Sequence, residues 1–325
     1  MNAFLIICHK NPKQVFRLVR LLKTQNNDVF IHADENMSKV EYEELDCLTK
    51  KLEVHLTLTR IHCELDHRSL VDATMILIKS AIDYANTVGK HYDYFVLLSG
   101  QDYLIKPIDY IEKQLEKLYP APLIDCTPWR STNWVSHKFS KNKNLLTYRD
   151  RIEKKHPSKK GIAYRFSRGI GFIWRKAIQL FHKSDYHYFK KTGIQLFGGS
   201  AWWILPDKVI EYILCEYEDN GEYIQRLLAT YTPEETFFQI LTMRTDYSNL
   251  VKLNNPSSVE QSCKTFAYFS DVGKPFCGHP YILTTENARL LSNLDNYWIA
   301  RKFDMERDEA IFDYIDFNLL NNEGR

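Results

Sequence analysis

Three polar side chains stand just past apolar runs of the sequence, where they could face a common ligand. They are His9, Asp34 and Asp102. The apolar runs before them cover residues 3–8, 29–32 and 94–98. Ligands of parallel α/β sheets bind beyond the carboxyl ends of the strands, so these side chains are expected to share one edge of a sheet. Two carboxylates and an imidazole at such an edge can bind polar groups or move protons.

The sequence lacks the common motifs for holding phosphate or metal. No G-x-G-x-x-G follows the first apolar run, and no G-x-x-x-x-G-K-[ST] occurs. No Asp-x-Asp pair is present, although many sugar transferases use one to hold a metal ion on a nucleotide diphosphate. A nucleotide site would therefore have to neutralise phosphates with side-chain cations, and no metal or other cofactor is expected.

The elements that must position these residues alternate between strands and helices. Strands are predicted over 3–8, 29–32, 54–58, 94–98 and 199–205. Helices are predicted from Asn11-Pro12, over 38–51, over 69–88 with Ser69 as cap, from Pro107, over 206–215, from Thr232, and from about Met305. This order predicts an α/β fold with a mainly parallel sheet flanked by helices. We expect a single domain over 1–325, with a nucleotide half at 1–125 and an acceptor half at 126–325.

Composition excludes several classes of protein. The net charge of +2 argues against a nucleic-acid binder that works by overall charge. No apolar run approaches the ~20 residues of a membrane span. The seven cysteines are scattered without a C-x-x-C pair, which is typical of reduced thiols. These observations predict a soluble, cytoplasmic protein.

The segment 137–176 is much more basic than the rest of the chain. It contains thirteen Lys and Arg residues against Asp150 and Glu153, a local excess of +11 interleaved with aromatic residues. Such a segment could hold the protein peripherally to anionic lipid at the inner face of a membrane, where a lipid-linked acceptor would lie. It could equally bind an acidic oligosaccharide or be an ordinary solvated face.

Six segments carry a family resemblance. They are Ile7-Cys8-His9-Lys10, Phe30-Ile31-His32-Ala33-Asp34, Leu97-Leu98-Ser99-Gly100-Gln101-Asp102-Tyr103-Leu104-Ile105-Lys106, Gly199-Ser200-Ala201-Trp202-Trp203, Thr232-Pro233-Glu234-Glu235-Thr236-Phe237-Phe238 and Ala300-Arg301-Lys302-Phe303-Asp304. In this order the chain resembles the core-2/I-branching β-1,6-N-acetylglucosaminyltransferase family, whose domain is shared by peptide xylosyltransferases. The resemblance implies a glycosyltransferase A-type, Rossmann-like fold, a UDP-sugar donor, inversion at the anomeric carbon and no metal requirement.

The same resemblance implies roles for single residues. Glu235 matches the catalytic base, which takes a proton from the acceptor hydroxyl as its oxygen attacks C1 opposite UDP. Lys302, with Arg301 beside it, matches the position that meets the charge of the departing UDP. The other implied site residues are His9 and Asp34 for the nucleotide sugar, and Asp102, Ser200, Trp202 and Glu234 for the acceptor or sugar.

Most of these residues also have a structural alternative. Thr232 and Glu235 form a capping-box pattern, with Pro233 at the first helical position. A Lys-Arg pair is often a solvated surface feature. The remaining alternatives are turn residues for Asp34 and Asp102, structural histidines for His9 and His32, and core packing for Trp202 and Trp203.

The sequence therefore predicts an inverting, metal-independent transfer of N-acetylglucosamine from UDP-N-acetylglucosamine to an oligosaccharide or lipid-linked glycan. UDP-xylose is the alternative donor. A non-catalytic glycan-binding protein on the same fold and a glycosidase are the competing classes, and a glycosidase would need two carboxylates facing one bond. A short form without anchor or disulfides is typical of a bacterial member.

Overall fold

A computed structural model of the protein describes residues 1–64, 67–129, 185–254, 262–269 and 279–320. The basic segment 137–176 lies outside these ranges. The strands are β1 (Asn2–Cys8), β2 (Asn27–Ala33), β3 (His55–Leu56), β4 (Tyr94–Ser99), β5 (Asp102–Leu104), β6 (Leu123–Ile124), β7 (Thr127–Pro128), β8 (Phe197–Gly198), β9 (Trp203–Pro206), β10 (Thr265–Ala267) and β11 (Ile299–Arg301).

Helices separate most of the strands. They are α1 (Pro12–Leu22), α2 (Lys39–Lys50), α3 (Ser69–Val88), α4 (Ile108–Leu118), α5 (Asp185–Thr192), α6 (Asp207–Asp219), α7 (Glu222–Leu228), α8 (Phe237–Thr242), α9 (Ala288–Ser292) and α10 (Ala310–Asn318). Short 3₁₀ turns cover Pro233–Glu235, Ser248–Leu250 and Thr285–Asn287. Within the described ranges, none of the helices has the length and apolar character needed to cross a bilayer.

Six strands form the central sheet in the order β3-β2-β1-β4-β9-β6. β1 pairs in parallel with β2 and β4, and β2 pairs in parallel with β3. β9 runs antiparallel to β4 and to β6. The predicted α/β fold and mainly parallel sheet are confirmed, and β9 brings the predicted acceptor half into the same sheet.

Helices pack on both faces of this sheet. On one face, residues of α3, α6 and α8 form a core with Leu5 and Leu97. On the other face, residues of α1, α4 and α10 form a second core with Phe4 and Leu98. Successive side chains of a strand point to opposite faces, so β1 and β4 carry continuous apolar runs over 3–8 and 94–98, as the sequence predicted.

A smaller sheet lies beside the central one. Its order is β10-β11-β5, with β11 parallel to β10 and antiparallel to β5. The antiparallel register places Arg301 opposite Asp102 and Ala300 opposite Tyr103. The pairing of β11 with β5 therefore places residues 301–304 next to the end of β4.

Several element boundaries differ from the prediction. Ser69 is the first residue of α3 rather than its cap, and its hydroxyl accepts a hydrogen bond from the backbone of Glu64 at 2.9 Å. The strand predicted over 199–205 begins only at Trp203. The backbone N–H of Gly199 donates to the carbonyl of Glu235 and not to a neighbouring strand of the central sheet. The last helix begins at Ala310, after turns that start at Asp304.

Candidate active site

The loops after β1, β2 and β4 meet at one edge of the central sheet, as the sequence predicted. The backbone N–H of Asp34 donates to the carbonyl of Cys8 at 2.7 Å, and that of Gly100 donates to Ile7 at 2.9 Å. A Cβ on Gly100 would lie 2.8 Å from the Cβ of Cys8, so the glycine permits this close approach. The loops are thereby held side by side at the carboxyl ends of the strands.

Asp34 organises the loop that covers this edge. Its buried carboxylate accepts hydrogen bonds from the backbone of Asn36 at 2.7 Å and of Cys63 at 3.0 Å. Arg60 donates to the carbonyl oxygens of Ala33 and Asp34. The carboxylate of Asp34 therefore acts as a turn residue, which was the structural alternative. A contact between Asp34 and a nucleotide sugar stays a prediction.

The two histidines of the edge have different surroundings. His32 is buried and contacts Thr57 Oγ1 at 3.3 Å, and burial lowers its pKa. It is therefore a structural histidine, one of the predicted alternatives. His9 is exposed, and its pKa is lowered by desolvation and then by the charges of Lys10 and Lys302. His9 accordingly lies within electrostatic reach of two cations at this edge.

The segment 302–304, which follows β11, packs against the same loops. Phe303 is fully buried, and its backbone N–H donates to the carbonyl of Gln101 at 2.8 Å. Buried Gln14 donates to the carbonyls of Gly100 and Phe303. Lys10 forms an ion pair with Asp304 at 2.7 Å. These contacts place Lys302 over the edge that carries His9.

Lys302 lies in positively charged surroundings. Partial burial lowers the pKa of its ammonium group, and the charges of Arg301 and Lys10 lower it further, whereas Asp304 acts in the opposite direction. A bound anion would stabilise this arrangement of cations, since opposite charges favour each other at short range. The site can therefore receive a phosphate group through side chains.

Lys10, Gln14 and Asp304 are site residues that the sequence analysis did not select. Lys10 directly follows His9, and Asp304 lies two residues after Lys302, so both are close in the sequence to predicted site residues. Their pairing connects positions 294 residues apart, which no local pattern indicates. Only the folded arrangement joins them.

The carboxylate of Asp102 corrects the prediction that this residue contacts a sugar. Asp102 is completely buried, so it offers no surface to a ligand. Its two oxygens accept hydrogen bonds from the backbone N–H of Ser99 at 2.7 Å and the hydroxyl of Ser99 at 2.8 Å. The Nε of Arg301 lies 3.6 Å away. Burial raises the pKa of Asp102, and Arg301 acts to lower it.

Arg301 connects this buried carboxylate to the loop before β9. Its guanidinium lies 4.1 Å from the centre of the Trp202 ring, a cation–π contact. Trp203 is buried in the core, and Trp202 is half-buried and packs against the same core, so the core alternative holds fully for Trp203 and in part for Trp202. Arg301 is thus turned toward the predicted acceptor residues, while Lys302 lies beside His9.

The loop 199–202 runs along the turn that carries Glu235. Gly199 N–H donates to the carbonyl of Glu235 at 2.9 Å. Gln239 in α8 donates to the carbonyl of Ser200 at 2.7 Å, and the Ser200 hydroxyl accepts from the backbone of Trp202 at 3.3 Å. The predicted acceptor residues Ser200 and Trp202 therefore share one loop with Glu235 as its neighbour.

The capping-box alternative for Thr232 and Glu235 is wrong. Thr232 adopts a left-handed backbone with φ 51°, and its hydroxyl donates to the carbonyl of Tyr231 at 2.7 Å. Pro233–Glu235 form a 3₁₀ turn, and α8 begins only at Phe237. Glu235 is half-buried and Glu234 is buried at the same turn. The Glu235 carboxylate is therefore not used as a helix cap.

The described residues hold no group of three or more His, Cys, Asp or Glu side chains arranged to bind a metal ion. The charged side chains at this site include the cations Lys10, Arg301 and Lys302 and the carboxylates of Asp34, Asp102, Asp304 and Glu235. The arrangement can bind an anion on the side of His9, and it places the turn that carries Glu235 beside the loop of Trp202.

Gly199→Ala is expected to destabilise the protein, because a Cβ here would lie 1.7 Å from the carbonyl oxygen of Asp125. The backbone must shift to remove this overlap, so we expect a loss of about 1–3 kcal/mol in the free energy of unfolding, measured by urea denaturation. Gly221→Ala is the control, since its Cβ would meet only the end of the Asp219 side chain at 3.3 Å. Equal stability of the two variants would contradict the expected overlap.

Comparison with known proteins agrees with the quoted segments. A family model described as Core-2/I-Branching enzyme matches residues 2–268. Human xylosyltransferase 2 is 23% identical over 98% of this chain and 34% of its own length. The β-glucuronosyltransferase GlcAT14A of Arabidopsis thaliana is 23% identical over 95% of this chain and 62% of its own length. The chain thus spans about a third of the length of the xylosyltransferases it matches.

Among solved structures, the apo crystal structure of mouse xyloside xylosyltransferase 1 is similar with a TM-score of 0.35 and 11% identity. The match covers 92% of this chain and 97% of that one. The mannosyltransferase Ktr4p of S. cerevisiae, solved with GDP, has a TM-score of 0.33 over 74% of this chain and 65% of its own.

Proposed function

The chain belongs to the Core-2/I-branching enzyme family, and on that premise we propose that it is an inverting glycosyltransferase using a UDP-sugar donor. The observation that carries the proposal is the arrangement of charge around Arg301. On one side of it Lys302 lies beside His9 and Lys10, and on the other side the loop of Ser200 and Trp202 is hydrogen-bonded through Gly199 to the turn that carries Glu235. A cationic donor side and a carboxylate on the acceptor side are what an inverting transfer requires.

The proposed mechanism is a single displacement. The acceptor hydroxyl loses its proton to the carboxylate of Glu235, while its oxygen forms the new bond to C1 of the donor sugar. The bond between C1 and the phosphate oxygen breaks on the opposite face, and UDP leaves with the electron pair. Lys302 stabilises the negative charge that develops on the diphosphate, because a fixed cation in a partly buried site costs little reorganisation.

We propose N-acetylglucosamine as the transferred sugar, in keeping with the core-2/I-branching resemblance. UDP-xylose is the second candidate, because xylosyltransferase 2 of several mammals is similar to nearly the whole chain. The similarity to a plant glucuronosyltransferase adds UDP-glucuronic acid to the donors worth testing. The proposed acceptor is an oligosaccharide or a lipid-linked glycan.

Peripheral contact with anionic lipid and a cytoplasmic location remain proposals. Both rest on composition, and the contact rests on the basic segment 137–176, which lies outside the described residues. The excess charge of +11 supports the lipid contact, because each cation near an anionic surface contributes about 1 kcal/mol.

UDP is expected to stabilise the protein against heat as well in EDTA as in Mn²⁺. The reason is that Lys302 and its cationic neighbours would supply the charge that a metal ion supplies elsewhere. The measurement is a thermal-shift series with UDP, UDP-N-acetylglucosamine, UDP-xylose and UDP-glucuronic acid, each with EDTA or with MnCl₂, and GDP as the control nucleotide. If turnover needs added Mn²⁺, the metal-independent mechanism is wrong.

The same donors separate the competing classes when hydrolysis is followed without an acceptor. A transferase releases sugar slowly from its own donor, whereas a non-catalytic glycan-binding protein releases none. A glycosidase would cleave glycosides without UDP and would need two facing carboxylates. Glu234 and Glu235 are consecutive residues of one turn and differ in burial, which favours the transferase.

A further inference from the structure

The carboxylate of Asp102 is a charged group that the proposed mechanism does not use. It is completely buried, and β5 and β11 pair around it so that Arg301 lies directly opposite. A buried carboxylate is costly unless hydrogen bonds and an opposite charge compensate it. Asp102 has both, since Ser99 supplies two hydrogen bonds and Arg301 supplies the charge.

Arg301 depends on Asp102 in return. The Nε of Arg301 is buried and makes no hydrogen bond within the described ranges, so its approach to Asp102 at 3.6 Å is a purely electrostatic contact. Among the charges that act on its guanidinium, Asp102 is the first to favour the charged form, against the effect of burial. Without the Asp102 carboxylate, a buried guanidinium would lose its counter-ion, and its side chain would move toward solvent.

A chain of contacts leads from this pair to the proposed base. The guanidinium stacks on Trp202 at 4.1 Å, and the backbone N–H of Trp202 donates to the hydroxyl of Ser200. The backbone N–H of Gly199, next in this loop, donates to the carbonyl of Glu235 at 2.9 Å. Each link is a direct contact between described residues, and Lys302 is bonded to Arg301 at the other end.

From this chain of contacts we infer that Asp102 is a positioning residue, which holds Arg301 against Trp202 and so sets the loop 199–202 and Glu235 relative to Lys302. The inference rests on the proposed transferase function. It concerns geometry between the donor and acceptor sides, since Asp102 itself touches neither substrate. A misplacement of about 1 Å between reacting groups can cost about 10²-fold in rate.

The test is a double-mutant cycle of Asp102→Asn and Arg301→Gln, with donor kcat, donor KM and UDP affinity measured for each protein. Asp102→Asn is expected to lower kcat by about 10–100-fold while the affinity for UDP stays within about threefold. The double variant is expected to be no slower than Arg301→Gln alone, because Asp102 acts only through Arg301. It should also be more heat-stable than Asp102→Asn, since no buried charge is left unpaired.

Asp28→Asn is the matched control for the loss of a buried, paired carboxylate. Asp28 is buried in β2 and bound by Lys23, Lys90 and Tyr92, apart from the loops of the site. This variant is expected to lower thermal stability and leave kcat unchanged. If it lowers kcat as much as Asp102→Asn does, the effect at Asp102 is general destabilisation and the inference is overturned.

Two further outcomes distinguish a failure of the positioning role of Asp102 from a failure of the proposed transferase function. Additive losses of kcat in the cycle, with normal turnover in the unaltered protein, would overturn the positioning role and leave the transferase proposal intact. An unaltered protein that neither binds UDP nor hydrolyses any UDP-sugar would overturn the proposed function and this inference with it.

Discussion

Glu235→Gln is expected to slow sugar transfer by at least about 10²–10⁴-fold, because the amide cannot accept the proton of the acceptor hydroxyl. The affinity for UDP should stay nearly unchanged, since the cations that we propose bind the donor are Lys302 and its neighbours near His9. The fold should also persist, because the contacts of the turn use the backbone of Glu235, whose N–H donates to Thr232 and whose carbonyl accepts from Gly199. Steady-state kinetics and UDP calorimetry on the same preparation are the measurements.

Two further variants sharpen this experiment. Glu235→Asp keeps a carboxylate but withdraws it by one methylene, so we expect a rate between those of the native protein and Glu235→Gln. Glu222→Gln is the control, since Glu222 is exposed in α7 and pairs with Arg226. A folded Glu235→Gln protein with near-native turnover would limit Glu235 to its contact with the Thr232 hydroxyl at 3.5 Å.

The strands of the central sheet could be predicted because their apolar runs are continuous. In β1, Leu5 packs into one core and Phe4 into the other, so the positions from Ala3 to Cys8 all carry apolar side chains. The same property predicted β4. The position of β9 could not be predicted, because it enters the sheet antiparallel between β4 and β6 after a connection of many residues.

Local patterns failed where a side chain had another partner. The spacing of Thr232 and Glu235 suits a capping box, but the Thr232 hydroxyl binds the carbonyl of Tyr231 and its backbone is left-handed. Ser69 suits an N-cap, but its hydroxyl binds the backbone of Glu64 from inside the first turn of α3. A pattern gives the capacity for a hydrogen bond, whereas the tertiary structure decides which partner is available.

The candidate site could be predicted only in part, because some of its contacts join residues far apart in the sequence. His9, Asp34 and the Ser99–Asp102 segment follow strands, so their common edge follows from strand polarity alone. The burial of Asp102 does not, because it depends on the pairing of β5 with β11, two strands far apart in sequence. The ion pair between Lys10 and Asp304 also depends on this long-range arrangement.

Lys302→Ala is expected to weaken UDP binding by roughly 1.5–3 kcal/mol, or about 10–150-fold, since it removes the proposed charge-assisted contact to the diphosphate. Partial burial lowers the pKa of Lys302, and the charges of Arg301 and Lys10 lower it further, so a bound anion relieves repulsion that the free protein carries. Departure of UDP should also slow, because the developing charge loses its nearest cation. Isothermal titration calorimetry with UDP in EDTA measures the first effect and kcat the second.

Lys302→Arg and Lys39→Ala distinguish a phosphate contact from a general effect of charge. Arginine keeps the cation, so UDP affinity should recover most of the loss, although its fork geometry differs from that of an ammonium group. Lys39 is highly exposed in α2 and pairs with Glu43, so its removal tests only net charge. Exposed charges are largely screened beyond about 8 Å at physiological ionic strength, which is why Lys39→Ala should leave UDP binding unchanged. If Lys302→Ala binds UDP as the native protein does, the diphosphate is held by other groups, and Lys302 has no part in the donor site.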